Sequence, residues 1–182
     1  GCTSSSSRAV DRILELCEEN HEFHTQSLAM MVNALVKKRM YTKQLFSAIA
    51  EVAQSIPPDR YKPQAVAIIL NGFSKAGHED QSLFNYLGYV AKELSMQAHW
   101  DAQATALLLN AFARTRMRDQ ELFNLFAEVA IKIPNVKYSP QNVANIVNAF
   151  AKNGIKHPAL FQRMSEIAQT FPVTKCDAQA VA

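Results

Sequence analysis

The sequence lacks several features that would assign it to a familiar class of protein. It contains only five glycines in 182 residues, which is typical of a helical protein. It has no run of 18 apolar residues, so we expect no transmembrane helix and no membrane partner. Its three cysteines are odd in number and scattered, which argues against a disulfide framework and favours a reducing compartment. The formal net charge of +3 is too small to demand a nucleic-acid partner.

Motifs that carry chemistry are also missing. There is no glycine-rich phosphate loop and no convincing nucleophile beside a base, so we expect no enzyme, no cofactor and no small-molecule substrate. Cys17, His21 and His24 lie close together in the sequence, but no fourth ligand is evident. The glutamates around them indicate a solvated helix end, so we expect no metal site.

A repeat with a period of 38 to 39 residues fills the chain. Each copy has a glutamine near its start, and an asparagine follows seven residues later in the first four copies. The glutamines are Gln26, Gln64, Gln103, Gln141 and Gln179, and the asparagines are Asn33, Asn71, Asn110 and Asn148. A Leu-Phe pair follows in register at residues 45–46, 83–84, 122–123 and 160–161. Several columns that share one period indicate stacked repeat units.

Each repeat is predicted to form two helices. Ser139-Pro140 and Asp101-Ala102 are typical starts of the first helix, because a capping side chain precedes a favourable first-turn residue. The second helix is predicted to begin after Thr42, Asp80, Asp119 or His157. An alanine column through the first helices predicts close approach of neighbouring helix axes. Its members are Ala29, Ala67, Ala106, Ala144 and Ala182.

The predicted fold is therefore all-α, an α-solenoid of stacked antiparallel helix pairs. Residues 1–7 are expected to form a flexible segment and residues 8–182 a single solenoid. Within it we predict a partial repeat at 8–23, repeats at 24–61, 62–100, 101–138 and 139–176, and the start of another at 177–182. Since the chain begins with Gly1 and ends inside a fifth copy of the motif, we expect it to be part of a longer protein.

One face of each first helix combines amides with a cation. At about 100° per residue, Gln26, Asn33 and Lys37 share a face, and the same pattern recurs in the next three repeats. The cations of these faces form a column, which consists of Lys37, Lys75, Arg114 and Lys152. Together with the basic turns that follow the first helices, this cation column predicts a positive edge that could follow a line of phosphates. The predicted RNA-binding residues are Lys37, Lys38, Lys75, Arg114, Arg116, Lys152, Lys156, Gln64, Asn71, Gln103, Asn110, Gln141, Asn145 and Asn148.

Structural explanations of the same columns stay open. A cation in the last helical turn is favoured by the helix dipole alone. The amides could hydrogen-bond neighbouring backbone groups. The centre of the polar face holds Met30, Ile68, Leu107 and Asn145, which weakly supports base-by-base reading. An aromatic column, Phe23, Tyr61, Trp100 and Tyr138, could stack bases, but its spacing is more typical of a hydrophobic staple.

The unit Q-x-x-A-x-x-x-N-A-F, then a basic turn and L-F, resembles organellar helical-hairpin repeats. These are the heptatricopeptide and octotricopeptide repeats, and the repeats that precede RAP domains in FAST-kinase-like proteins. The resemblance implies RNA binding in a mitochondrion, or alternatively a plastid, with a role in RNA processing, stability or ribosome assembly. The alternative is a scaffold subunit of an organellar ribonucleoprotein, such as the mitochondrial ribosome, that contacts mainly proteins.

Overall fold

A computed structural model describes residues 24–115 and 117–172. The secondary structure of these residues is helical, with no strand among them, which confirms the all-α prediction. The described α-helices are α1 (His24–Lys37), α2 (Lys43–Ser55), α3 (Pro63–Ala76), α4 (Gln81–Gln97), α5 (Ala102–Arg114), α6 (Gln120–Lys132), α7 (Pro140–Asn153) and α8 (Pro158–Gln169). Odd-numbered helices are the first helices of the predicted repeats, and even-numbered helices are the second. Short 3₁₀ turns at Pro58–Arg60 and Asn135–Lys137 precede α3 and α7.

The helix ends follow local sequence chemistry. The carboxylate of Asp101 accepts a hydrogen bond from the Ala104 amide at 2.7 Å, and the Ser139 hydroxyl accepts one from the Asn142 amide at 3.2 Å. Asp80, Asp119 and His157 cap second helices in the same way. Thr42 occupies the corresponding position before α2 without a side-chain cap, so the backbone alone starts that helix.

Two of the four first helices end in a left-handed glycine. Gly77 has a φ of 73° and Gly154 has a φ of 66°. Residues that carry a Cβ rarely adopt this backbone conformation. The amides of Gly77 and Gly154 bond to carbonyls of the last helical turn. These two first helices therefore end in a glycine C-terminal cap.

The described residues belong to two compact units, with the boundary between Ala91 and Lys92, inside α4. In the first unit, α1 packs against α2 and extensively against α3. In the second unit, α5 packs against α6 and extensively against α7, and α8 contacts both α6 and α7. First helices of adjacent repeats are thus direct neighbours within each unit.

The Leu-Phe column lies largely in the core. Both members of the pairs at 83–84 and 122–123 are fully buried. Phe46 and Leu160 are buried as well, whereas Leu45 and Phe161 are half-buried. The rings pack edge to face. The ring centroids of Phe46 and Phe73 are 4.9 Å apart, and those of Phe123 and Phe150 are 5.1 Å apart.

The alanine column is buried where first helices pack closely. Ala29, Ala67 and Ala106 are each at most 2% exposed. Ala144 is half-buried, so burial at this position does not extend fully to α7. The predicted segments 1–7, 8–23 and 177–182, with Ala182, lie outside the described residues.

Candidate nucleic-acid interface

The cation column occupies the C-terminal turns of the four first helices. Lys37, Lys75, Arg114 and Lys152 all lie in the last turns of α1, α3, α5 and α7, and all four are exposed. The helix dipole favours a positive charge at this end. Because α1 packs on α3 and α5 packs on α7, each unit contains two first helices in direct contact, each with a cation in its last turn.

Lys38 and Lys156, in the turns that follow, are also exposed. Within the described part of the chain, none of these six cations forms an ion pair with a carboxylate. Arg116, the remaining predicted cation, lies outside the described residues. Exposed cations that pair with no carboxylate are accessible to an external anion, which is what phosphate recognition requires.

Lys92 shows the contrasting environment of a cation that is already neutralised. Its Nζ lies 2.9 Å from Asp119 Oδ2 and 2.6 Å from Glu121 Oε2. Burial lowers its pKa, but the hydrogen bonds to Glu121 and Asp119 outweigh burial and raise the pKa above its ordinary value. Lys92 therefore links α4 to the start of α6 and has little charge to offer an external ligand.

The turn between α1 and α2 is the most basic segment of the described chain, with Lys37, Lys38, Arg39 and Lys43 and no acidic residue between them. Arg39 has a φ of 55°, which is uncommon for a residue with a side chain.

The charge of Lys43 also affects His78, which lies in the same unit. Burial and the charge of Lys43 lower the pKa of His78, whose ring stacks on Phe46 at 4.4 Å.

The glutamines and asparagines of the repeat differ in exposure. Gln26, Gln64, Gln103 and Gln141 are all exposed. Among the asparagines, however, Asn33 and Asn148 are exposed while Asn71 and Asn110 are only 8% and 6% exposed. The inner two side chains are covered by helix packing, so they have little surface with which to contact RNA. Asn145 is half-buried.

The three described members of the aromatic column, Tyr61, Trp100 and Tyr138, lie in the core, and Phe23 lies outside the described residues. The Tyr61 hydroxyl donates to the Ala53 carbonyl at 2.6 Å, and the Tyr138 hydroxyl donates to the Ala130 carbonyl at the same distance. Burial raises the pKa of Tyr138 to about 12. Trp100 is buried with its ring 4.6 Å from Phe126. Tyr61 and Tyr138 thus hold the second helix of one repeat to the start of the next, whereas Trp100 packs on the second helix of the repeat that it precedes. All three side chains are buried, which leaves little surface for a base to stack on.

A groove between the N-terminal halves of α1 and α3 is the feature that sequence reasoning missed. Its volume is about 340 Å³. Met30 and Ile68, the centre positions of the polar face, line it together with Gln26, Asn33 and Gln64. The sequence did contain a signal, since two apolar residues occupy a face that is otherwise polar. Only the packing of α1 on α3 shows that they line one cavity.

Other kinds of site receive no support from the described residues. No group of three or more His, Cys, Asp or Glu side chains is placed to hold a metal ion within them. Cys17 and His21 lie outside the described range. None of the helices that the structure describes combines the length and apolarity needed to cross a membrane.

Comparison with known proteins adds a family to this geometry. No curated protein matches the chain significantly. The family model described as RNA-editing substrate-binding complex 6 protein matches residues 6–182, nearly the whole sequence. The chain therefore belongs to the RNA-editing substrate-binding complex 6 protein family.

Proposed function

We propose that this chain is an RNA-binding helical-repeat protein that acts in RNA editing or related RNA processing. The observation that carries the proposal is the recurrence of an exposed, unpaired cation at the end of all four described first helices. The family description supports it, because an RNA-editing substrate is an RNA. The chain would supply binding and no catalytic step.

The proposed mechanism is phosphate neutralisation along an edge of the repeats. We propose that the helix pairs are antiparallel and stack as a solenoid, as in the heptatricopeptide and octotricopeptide repeats that the sequence resembles. Within each unit, such stacking would bring the cations of the two first helices to one edge, Lys37 with Lys75 and Arg114 with Lys152. Each phosphate contact releases counterions, so affinity depends on salt more than on base sequence.

The resemblance also supports an organellar location, with the mitochondrion favoured over a plastid. Fractionation of cells that express the tagged full-length protein tests this location. Recovery of the protein with a mitochondrial matrix marker is the expected result. Recovery in the cytosol would contradict the organellar part of the proposal and leave the RNA-binding part to be tested separately.

The central test replaces the cation column. We expect Lys37→Ala, Lys75→Ala, Arg114→Ala and Lys152→Ala together to weaken binding to unrelated single-stranded RNAs by similar factors. The slope of log affinity against log salt should become shallower by about 0.7 for each lost contact. Fluorescence anisotropy with labelled RNA at several salt concentrations measures both quantities. Unchanged affinity and slope in a folded variant would assign the column to helix-end electrostatics alone.

A matched control separates the column from net charge. Lys132 and Lys137 lie in the second unit, as Arg114 and Lys152 do, and both are exposed without an ion-pair partner among the described residues. Each double replacement by alanine removes two positive charges. We expect the Arg114 and Lys152 pair to matter and the Lys132 and Lys137 pair to have a much smaller effect. Equal effects would indicate non-specific attraction.

The second candidate function is a scaffold that binds mainly proteins within a ribonucleoprotein. It is favoured by the exposed apolar side chains of Tyr89, Met96 and Val136, which are 52%, 81% and 89% exposed. An apolar protein contact depends little on salt, whereas phosphate binding weakens steeply. Recovery of protein partners from organelle extract at both low and high salt, after nuclease treatment, would favour the scaffold function.

A further inference from the structure

The groove between α1 and α3 combines apolar walls with free amide groups. Met30 is 56% exposed although it is apolar, and it lies on the groove with the half-buried Ile68. The buried Ala29 and Ala65 form the floor, since their small side chains leave the space open. The cavity therefore has an apolar interior between two helices that pack directly on each other.

The rim of the groove is polar, and its amides are exposed. Gln26, Asn33 and Gln64 are exposed, and their side chains have no hydrogen-bond partner within the described residues. An amide offers both a donor and an acceptor, which is the pattern needed to bond two adjacent atoms on a base edge. Lys62, exposed at the start of α3, lies on the same groove and adds a positive charge.

These properties fit one nucleotide of a single-stranded nucleic acid. Unstacked bases present a flat apolar face for packing and a polar edge for hydrogen bonds. The volume of about 340 Å³ is near the lower end of the ~300–1,000 Å³ typical of ligand pockets. A cavity of this size suits a single nucleotide, with the base inside and the phosphate outside near Lys62.

We propose that the groove between α1 and α3 binds one unstacked nucleobase of the RNA, with Met30 and Ile68 against the base face and the three amides at its edge. The proposal rests on the RNA-binding function proposed above and adds a base contact to the phosphate contacts. It also gives the two apolar centre positions, Met30 and Ile68, a role in binding. They weaken the case for base reading by hydrogen bonds at the centre, but they supply the surface on which a base packs.

The test compares two ligands of equal length and charge. One is a labelled 12-nucleotide single-stranded RNA, and the other carries abasic sugars at every position. We expect Met30→Ala with Ile68→Ala to lower affinity for the RNA with bases by about 3–10-fold, a loss somewhat below that for aromatic stacking. Affinity for the abasic ligand should not change, and the salt slope should be the same as in the unmodified protein.

Met96→Ala is the matched control for Met30→Ala, because both remove an exposed methionine and Met96 is not part of the groove. The control should bind both ligands normally, and circular dichroism should show that every variant is folded. Gln64→Ala, at an exposed position, gives a second variant that tests the amide rim with little risk to folding. It too should weaken only the RNA that carries bases.

The outcomes separate this proposal from the one on which it rests. Equal loss on both ligands, or no loss on either, would overturn the base pocket. If the cation-column variant still weakens binding in that case, the RNA-binding function stands without the pocket. If the unmodified protein binds neither ligand, both proposals fail.

Discussion

At the scale of single residues, the described core contains a hydroxyl that has no hydrogen-bond partner. Thr105 is fully buried, and its Oγ1 has no partner. The corresponding residues in the neighbouring repeats are Val66 and Val143. A buried hydroxyl that makes no hydrogen bond loses its interaction with water and gains nothing in return.

We therefore expect Thr105→Val to raise the free energy of unfolding by roughly 1 kcal/mol. Valine has nearly the same shape, so the packing around residue 105 should be kept. Urea denaturation followed by circular dichroism measures the change. A loss of stability would mean that the hydroxyl has a partner in solution.

Thr25→Val is the matched control with the opposite expected sign. The hydroxyl of Thr25 donates to the Arg60 carbonyl at 3.3 Å in a part-buried position. Its removal leaves that carbonyl without the donor and should lower stability by about 0.5–1.5 kcal/mol. The pair of variants thus tests the hydrogen-bond assignment, since the chemical change is identical.

His78 predicts a pH dependence of stability. Burial and the nearby Lys43 lower its pKa from the ordinary value of 6.5. The unfolded chain therefore binds the proton more readily than the folded chain. The contribution of His78 to the free energy of unfolding is therefore fully present well above pH 6.5. It is lost as the pH falls through the lower pKa of the folded state.

The measurement is the free energy of unfolding between about pH 7 and pH 5, in the native protein and in His78→Phe. Phenylalanine keeps an aromatic ring against Phe46 and removes the proton. We expect a shallower decline for the variant on acidification. Parallel declines would show that other groups cause the pH dependence.

At the scale of helices, the contact between α1 and α3 depends on Gly72. A Cβ built on Gly72 would lie 2.1 Å from Val32 Cγ1, which is far inside van der Waals contact. The other three repeats have alanine after their asparagine, at Ala34, Ala111 and Ala149. The sequence pattern alone therefore makes alanine look acceptable at residue 72.

We expect Gly72→Ala to lower the free energy of unfolding by about 1–3 kcal/mol through overpacking. The gain in helix propensity, about 1 kcal/mol, opposes this loss but is smaller, because Val32 is β-branched and buried and cannot easily move aside. Chemical denaturation measures the difference.

Val32→Ala supplies the control, because it removes the methyl group that clashes. The nearest remaining atoms would be at 3.5 and 3.6 Å, which is ordinary contact. In the Val32→Ala background, Gly72→Ala should therefore be neutral or stabilising. An additive loss in the double variant would place the cause elsewhere.

The alanine column gives a related prediction in the second unit. Ala106 is 1% exposed on α5, which packs on α7. Ala106→Leu should lower stability by roughly 1–3 kcal/mol, because the additional methylenes have no space. Ala144→Leu, at a half-buried position on α7, should cost less in the same denaturation experiment.

At the scale of the whole molecule, a repeat protein is expected to respond locally, because each repeat contacts only its neighbours. Gly72→Ala should thus increase amide hydrogen exchange mainly in residues 24–91, the described part of the first unit. Exchange in residues 92–172 should change much less. Mass spectrometry of peptides measures this, and a uniform increase would show that both units unfold as one.

The sequence by itself determined the helices and the cation column. Helix starts and ends depend on nearby residues, such as Asp101 with Ala104 or Gly77 with the turn before it, so local chemistry was sufficient. The exposure of the cations in the last helical turns was equally predictable, because it follows from their position on a short amphipathic helix.

The tertiary structure decided which polar residues remain available. Asn71 and Asn33 occupy the same place in the repeat, yet packing covers the first and leaves the second exposed. Met30 and Ile68 come from different helices, and only the close approach of α1 and α3 makes them walls of one groove. Burial and cavities depend on contacts between residues far apart in the chain, and a repeating pattern of single positions does not contain those distances.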